Sequence, residues 1–428
     1  MPDISNHLRF DLTKSLSAQQ QTLLRVVAEA ANTRQMPLYL VGGFVRDFLL
    51  GSPAMDFDLV VEGDAIALAH ALAANYGGKV IAHLRFGTAQ WFLPDSNYHA
   101  LDFISTRSET YKHFAALPTV KPGRLVDDLA RRDFTINTLA LRIDGDHWGE
   151  LRNDLAGLND LKRGIVRVLH PKSFLDDPTR LFRAVRYEQR YGFQIAQETL
   201  TLIPPARPLI ASLSAERIRH ELELILDEEK AVAMLERLED LDLLQQIHPA
   251  LAWNDQKRER FINGWRMVRD GNIKSIPPST GRNFLKWHFW LLDLHLNAIE
   301  SLEKRLHFHA NLHRSLLAAS ALFIDLPSLI KIKPSQCVAR LEGLPLSAVY
   351  AVCLSIPDGG ARQNLINYLE NWRHVKPKTN GNHLKKRGLL PGPRYQHVLL
   401  SLRQAWLDGE VKSEIEEMKL LDILIKSV

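Results

Sequence analysis

Residues 38–61 read LYLVGGFVRDFLLGSPAMDFDLVV, and this stretch decides the fold. An apolar run from Leu38 to Val41 halts at Gly42-Gly43, and a helical pattern from Phe44 to Leu50 then stops at Gly51 and Pro53. A second apolar run carries Asp56 and Asp58. In a strand, side chains two apart share a face, so both carboxylates point to one spot while Phe57 and Leu59 enter the core. Hard oxygen ligands converging in this way suit Mg²⁺, which binds through one or two carboxylates together with substrate phosphates. Adjacent glycines let backbone N–H groups come close to a phosphate at a helix start. Each sign has a plain alternative, since Asp-x-Asp alone is commonly a polar strand end and Gly-Gly a turn. Their order and spacing together specify a metal and a nucleotide.

The strings LVGGFVRDFLLG and MDFDLV resemble the active-site signature of the DNA polymerase beta nucleotidyltransferase superfamily. Within it they are most similar to bacterial tRNA nucleotidyltransferases and poly(A) polymerases, the class II CCA-adding group. The resemblance implies an α+β fold, with a polymerase-beta-like head of small mixed sheet and helices followed by an all-α neck, body and tail. On this chain those parts fall as a lead-in over 1–37, a nucleotidyltransferase head over 38–170, a helical neck with a base-reading helix over 171–250, a body over 251–370 and a basic RNA-binding tail over 371–428. The implied activity is template-independent addition or repair of the 3′-terminal CCA of tRNA from CTP and ATP. Asp56 and Asp58 would hold Mg²⁺ for two-metal nucleotidyl transfer, with Gly42, Gly43 and Arg46 near the triphosphate. Neighbouring readings keep the chemistry and change the product, to a terminal A alone or to poly(A). A reading from another class is a non-catalytic RNA-binding protein on a retired polymerase head.

Bulk properties set wider limits. A chain of 428 residues exceeds one ordinary core and predicts two or more domains. Fifty-four basic residues against 49 acidic give a net charge of +5 and a pI near 9.1, which permits a polyanionic partner. No apolar run approaches the ~18 residues of a membrane span, and the N-terminus lacks a basic-then-apolar signal pattern. Cys337 and Cys353 form neither a CxxC nor a disulfide framework, so a reduced, cytoplasmic setting is expected. GxxxxGK, GxGxxG, HExxH and GxSxG are all missing, which argues against the enzyme classes built on them.

Ser17 predicts an N-cap for a helix with Leu23, Leu24, Val27 and Ala28 on its apolar face. Ala65–Tyr76 predicts a helix stopped by Gly77-Gly78, and strands follow at Lys79–Ala82, Thr88–Leu93 and Tyr98–Ile104. Asp102 in the last of these is either a third metal ligand from a neighbouring strand or a solvated strand acid. Residues 107–130 carry Pro118, Pro122 and Gly123 with little periodicity and read as a long loop. In the resembling family a segment here shifts nucleotide choice between C and A, and its full length argues against a C-only enzyme.

Arg131–Ala140 reads RRDFTINTLA. Arginines offer forked donors to a triphosphate, and a carboxylate accepts from a ribose 2′-hydroxyl. The resemblance assigns those roles to Arg132 and Asp133. Asp144-Gly145 predicts a hairpin turn between Leu139–Ile143 and His147–Leu151, and Asp154, Gly157 and Asp160 read as structural.

In FLDDPTRLFRAVRYEQRY (Phe174–Tyr191), Pro178 fits a first helical position with Asp177 as N-cap. Arg180, three residues on, shares that face, so acceptor and forked donor together could pair with the edge of C or A. The family's Glu-Asp-x-x-Arg motif matches Asp177 and Arg180, with Asp176 replacing its Glu. Arg183, Arg186 and Arg190 follow at helical spacing and read by default as a solvated or salt-bridged face, from which one or two could brace the site or meet phosphate, and none is assigned to catalysis. IPPARP (Ile203–Pro208) reads as a rigid break, after which Ser214 caps a helical second half. From Asn371 to Leu407 there is no acid, while Lys385, Lys386, Arg387 and Arg394 lie among Trp372, Tyr395 and Trp406. Such a stretch predicts salt-sensitive RNA contact, and HLKKRGLLPGPRYQHVLL resembles the tail of the same family.

Overall fold

Apolar residues at every position of Leu38–Val41 require cover on both faces, and this strand, β1, lies inside a sheet with all four residues buried. The computed structural model describes residues 8–14, 16–52, 57–94, 100–110, 119–271 and 282–426. They fall into two compact units, Met1–Leu213 and Ser214–Val428.

The first unit is built on β1, β2 (Asp58–Val61), β3 (Lys79–His83), β4 (Thr88–Phe92), β5 (Leu101–Ser105), β8 (Ala140–Arg142) and β9 (Glu150–Arg152). They form one seven-stranded mixed sheet in the order β3-β4-β5-β2-β1-β8-β9, antiparallel except for the parallel pair β2–β5. Helix α1 (Ala18–Asn32) starts at Ser17, whose hydroxyl accepts from Gln20 N–H in a capping box. Helix α2 (Gly43–Leu49) follows β1, and α3 (Ala65–Tyr76) ends at Gly77 with φ +78°, both near the sequence reading. Phe57 and Leu59 are buried as alternation requires, with the Phe57 ring 5.1 Å from that of Phe44.

Some expectations change. Residues 107–130 are not one loop: β6 (Arg107–Thr110) pairs antiparallel with β7 (Thr119–Pro122), and α4 (Leu125–Ala130) follows. The prolines that hid this pairing are tolerated because a two-stranded ribbon is all edge; residues 111–118 lie outside the described residues. The hairpin at Asp144 is also shorter in its strands and longer in its loop than a two-residue turn. Asp144 Oδ1 accepts Leu38 N–H at 2.8 Å, so the acid serves the start of β1 rather than a tight turn.

After β9 come α5 (Gly157–Arg163), α6 (Ser173–Asp176) and α7 (Thr179–Tyr191). A Cβ at Gly157 would stand 2.1 Å from the Thr135 carbonyl oxygen, so this position admits only glycine. Asp160 beside it accepts from Thr135 Oγ1 at 2.7 Å and Arg167 Nε at 2.9 Å, which makes the segment a structural clasp. IPPARP is helical rather than broken, as Ile203–Ala206 and then a 3-10 turn Arg207–Ser212, because its prolines occupy first-turn positions where no N–H is required.

The described residues of the second unit are helical, from Ala215–Asp227, capped by Ser214, to Glu414–Lys426. Trp287, Phe289, Trp290 and Tyr350 fill its interior. No single helix among the described residues is long and apolar enough to cross a membrane. Both cysteines are buried, and burial pushes their thiols up to about 11.

His288 is fully buried between the Phe284 carbonyl and Ser315 Oγ, and burial pushes its imidazole down to about 4. A base depressed on folding contributes stability that is complete above its unfolded value near 6.5 and is lost as pH falls toward 4. Wild type should therefore lose about 3 kcal/mol over that window relative to His288→Gln. Urea midpoints of the two proteins at pH 7 and pH 4 measure this, and parallel curves would refute it.

Candidate active site

Gly42 sits at the mouth of the site with φ +66°. A Cβ there would lie 2.6 Å from Arg132 Nη1 and 3.7 Å from Asp58 Oδ2. The missing side chain thus makes room at the point where a guanidinium meets a carboxylate. Asp58 is the first residue of β2 and is partly exposed. In the parallel pair it registers with Asp102 of β5, which is exposed. Gln90, opposite Asp102 on β4, donates from Nε2 to Asp102 Oδ1 at 2.8 Å. Two solvent-reachable carboxylates side by side on one face form a donor set of the kind Mg²⁺ takes. Asp56 lies outside the described residues, among which no group of three or more His, Cys, Asp or Glu gathers as a ligand set.

The arginine pair is set by an acid that the sequence reading did not single out. Asp128, on α4, is fully buried and accepts Arg131 Nε at 3.0 Å and Nη2 at 2.6 Å on Oδ1, and Arg132 Nη2 at 3.2 Å on Oδ2. The signal was present as an acid three and four residues before two arginines. Its effect is to aim Arg132 Nη1 at the glycine corner.

Arg46 was expected near the triphosphate, and its donors are engaged elsewhere. It is 3% exposed, with Nε and Nη2 on Asp47 at 2.9 and 3.0 Å and Nη1 on Asn137 Oδ1 at 2.7 Å. The rings of Tyr187 and Tyr191 lie 4.9 and 4.7 Å from its guanidinium carbon. Arg46 thus braces the glycine corner from beneath, because α2 turns this residue toward α7.

Asp133 is buried, with Oδ1 accepting Phe134 N–H and Asn137 Nδ2, both at 2.8 Å. Arg183 of α7 donates to Oδ2 from Nε at 2.7 Å, and its Nη2 lies 2.6 Å from the same oxygen in the ion pair. Burial alone would raise the Asp133 carboxyl, but the Arg183 charge and the Asn137 hydrogen bond outweigh it and hold the group below its ordinary value. Arg183, read from sequence as a solvated or paired face, is therefore a partner of the motif acid. The clue was its position one turn beyond Arg180. Asn137 joins Arg46 to Asp133, and Tyr191 OH donates to Asp47 Oδ1 at 2.9 Å, so α2, the RRD segment and α7 are tied into one polar network.

At the start of α7, Asp177 Oδ1 accepts Thr179 N–H at 3.0 Å and Thr179 Oγ1 at 2.7 Å, although the helix begins one residue later than the sequence predicted and Pro178 takes the cap position. Arg180 is 6% exposed and donates from Nη1 to Ser173 Oγ at 2.6 Å and from Nη2 to the Arg131 carbonyl at 2.8 Å. Arg180 therefore sits beside the RRD segment, close enough to Asp133 to help lower its pKa. Asp176 stands 3.9 Å from His170 Nε2, whose pKa lies below the ordinary value mainly through burial.

In the tail, Lys385 and Lys386 are exposed, but Arg387 pairs with Asp422 and Arg394 donates to the Ile425 carbonyl at 3.1 Å. The last helix supplies acids that residues 371–407 lack. Its Glu417 accepts Lys378 and Thr379 N–H at 2.9 and 2.6 Å. Arg387 and Arg394, exposed as well, thus tie the tail to its last helix.

Residues 38–167 match the family described as "Poly A polymerase head domain", and residues 192–254 match "Probable RNA and SrmB- binding site of polymerase A". The A-adding tRNA nucleotidyltransferase of Halalkalibacterium halodurans is 31% identical over 427 residues, 97% of this chain and 94% of that protein. The A-adding tRNA nucleotidyltransferase of Geobacter sulfurreducens is 32% identical over 431 residues, 96% of this chain, which spans only 47% of that longer relative. Among solved structures, a CCA-adding enzyme in apo form matches with a TM-score of 0.82 at 28% identity, over 97% of this chain and 98% of that one.

Proposed function

Because the chain belongs to the family of bacterial tRNA nucleotidyltransferases and poly(A) polymerases, we propose that it extends the 3′ end of tRNA from CTP and ATP without a template. The observation that carries this reading is the meeting of Asp58, Arg132 and Gly42 at one corner, with Asp102 in register beside Asp58. Asp58 and Asp102, with Asp56, are the residues to hold Mg²⁺, which when bound supplies charge neutralisation to the triphosphate and acidity to the RNA 3′-hydroxyl. Gly42 and Gly43 leave space for phosphate oxygens, and Arg132 presents Nη1 to them. Asp133 faces the sugar, and Asp177 with Arg180 faces the base once Arg180 leaves Ser173 and the Arg131 carbonyl. Lys385 and Lys386 are the tail cations for the RNA backbone.

The finer reading is completion of the whole CCA end. A second reading, addition of the terminal A alone, is favoured by two relatives aligned along nearly the whole chain that are named A-adding, while the solved CCA-adding enzyme aligned as fully favours the first. Purified protein offered tRNAs ending before the first C, before the second C and before the A separates these products. With CTP and ATP together, extension of all three supports CCA addition, and extension of the last alone supports A addition. Absence of any Mg²⁺-dependent incorporation would leave an RNA-binding protein and defeat both.

A further inference from the structure

Both oxygens of the Asp133 carboxylate are engaged. A carboxylate offers about four lone-pair sites. Phe134 N–H and Asn137 Nδ2 fill those on Oδ1, and Arg183 covers Oδ2, with Nε donating to it and Nη2 beside it in the ion pair. The Oδ1 bonds come from the acid's own segment and fix its plane. The Oδ2 bonds come from a single side chain, and it is the outer one: the Arg183 side chain is 32% exposed against 8% for Asp133. A ligand reaching this carboxylate from solvent therefore meets Arg183 first.

We infer that Arg183 is the second half of the sugar test, and that a ribose 2′-hydroxyl exchanges for one Arg183 N–H on Asp133 Oδ2. This rests on the reading that Asp133 faces the sugar. A hydroxyl both donates and accepts. It can give its proton to Oδ2 and take one from the guanidinium nitrogen it displaces, so one hydrogen bond is replaced by two. A deoxyribose carbon can do neither, and its entry either stays blocked or strips Arg183 from Asp133 without replacement. The guanidinium fork makes the exchange feasible, since one arm can let go while the other holds. Tyr187 waits beside the released arm: its hydroxyl accepts from Arg183 Nη2 at 3.0 Å, and its ring lies 5.5 Å from the guanidinium carbon. Arg180 lies one turn earlier on α7, so one helix carries both the base-reading and the sugar-reading arginine.

Arg183→Lys tests this in the full chain, because lysine keeps the charge but offers a single-point donor without the fork. The expected result is a fall of about tenfold or more in the ratio of kcat/KM for ATP over dATP, with the loss in the ATP value. Isothermal titration with non-hydrolysable ATP and dATP analogues should show the same narrowing. A parallel fall for both nucleotides, or an unchanged ratio, overturns the inference and makes Arg183 merely structural. Asp133→Asn separates the two levels: if it narrows the ratio and Arg183→Lys does not, only the arginine's role fails. If neither variant moves the ratio, the sugar reading of Asp133 fails with it. Should Arg183→Lys melt early, Tyr187→Phe carries the test, with an expected narrowing of about threefold and no change as the refuting outcome.

Discussion

Asp58→Ala should lower nucleotide incorporation by about three orders of magnitude or more, the loss expected when several kcal/mol of metal-borne charge stabilisation disappear. The same variant should bind tRNA as tightly as wild type and melt at nearly the same temperature. Stability is spared for a physical reason. Asp58 is the first residue of β2, partly exposed, and it registers with Asp102 on the neighbouring strand. Like charges set side by side across a sheet repel by a few tenths of a kcal/mol, which offsets in part the loss of the Arg132 guanidinium that Asp58 meets at the glycine corner. Replacing Asp58 should therefore move the melting temperature little. Single-turnover incorporation with Mg²⁺, a filter-binding curve for tRNA and a thermal melt together decide the matter. Substantial residual incorporation would remove Asp58 from the metal site, and a large drop in melting temperature would make its role structural.

Much of this arrangement was legible because local patterns and tertiary needs agree. The continuous apolar run Leu38–Val41 gave an interior strand, Gly42 gave the corner, and the alternation through Phe57, Asp58 and Leu59 gave the orientation of the acid. Ser17, Gly77 and Ser214 marked helix ends through chemistry contained within a few residues. Partnership across long sequence separations was not legible. Whether an arginine faces solvent, substrate or a buried acid depends on what the fold brings to it. Arg46, expected near the triphosphate, is bound to Asn137, 91 residues away, and Arg183, expected on a solvated or salt-bridged face, finds its partner in Asp133, 50 residues away. The tail repeats the lesson, since the acids that occupy Arg387 and Glu417's amide partners come from a helix beyond the acid-free window. The pairing of β6 with β7 was hidden by prolines that count against a central strand but not against an isolated ribbon.

The largest stability loss at the site is expected from Asp128→Ala. This carboxylate is fully buried, while the Arg131 and Arg132 side chains it holds are only 18% and 16% exposed. Its removal leaves two cations close together and poorly hydrated, and breaking a buried pair from one side costs about 3–5 kcal/mol. Asp128→Asn should cost less, since the amide keeps the volume and one acceptor oxygen. Urea unfolding at pH 7 measures both, and a loss under about 1 kcal/mol for the alanine variant would show that solvent satisfies the arginines after all. Activity supplies an independent reading at a temperature where every variant is folded. Because Asp128 Oδ2 is what turns Arg132 Nη1 toward Gly42, both variants should weaken nucleotide use through KM. An asparagine variant that folds well yet binds nucleotide poorly would separate the aiming of Arg132 from the stability of α4. Equal nucleotide affinity in that variant would mean that Arg132 finds the corner without help from the buried acid.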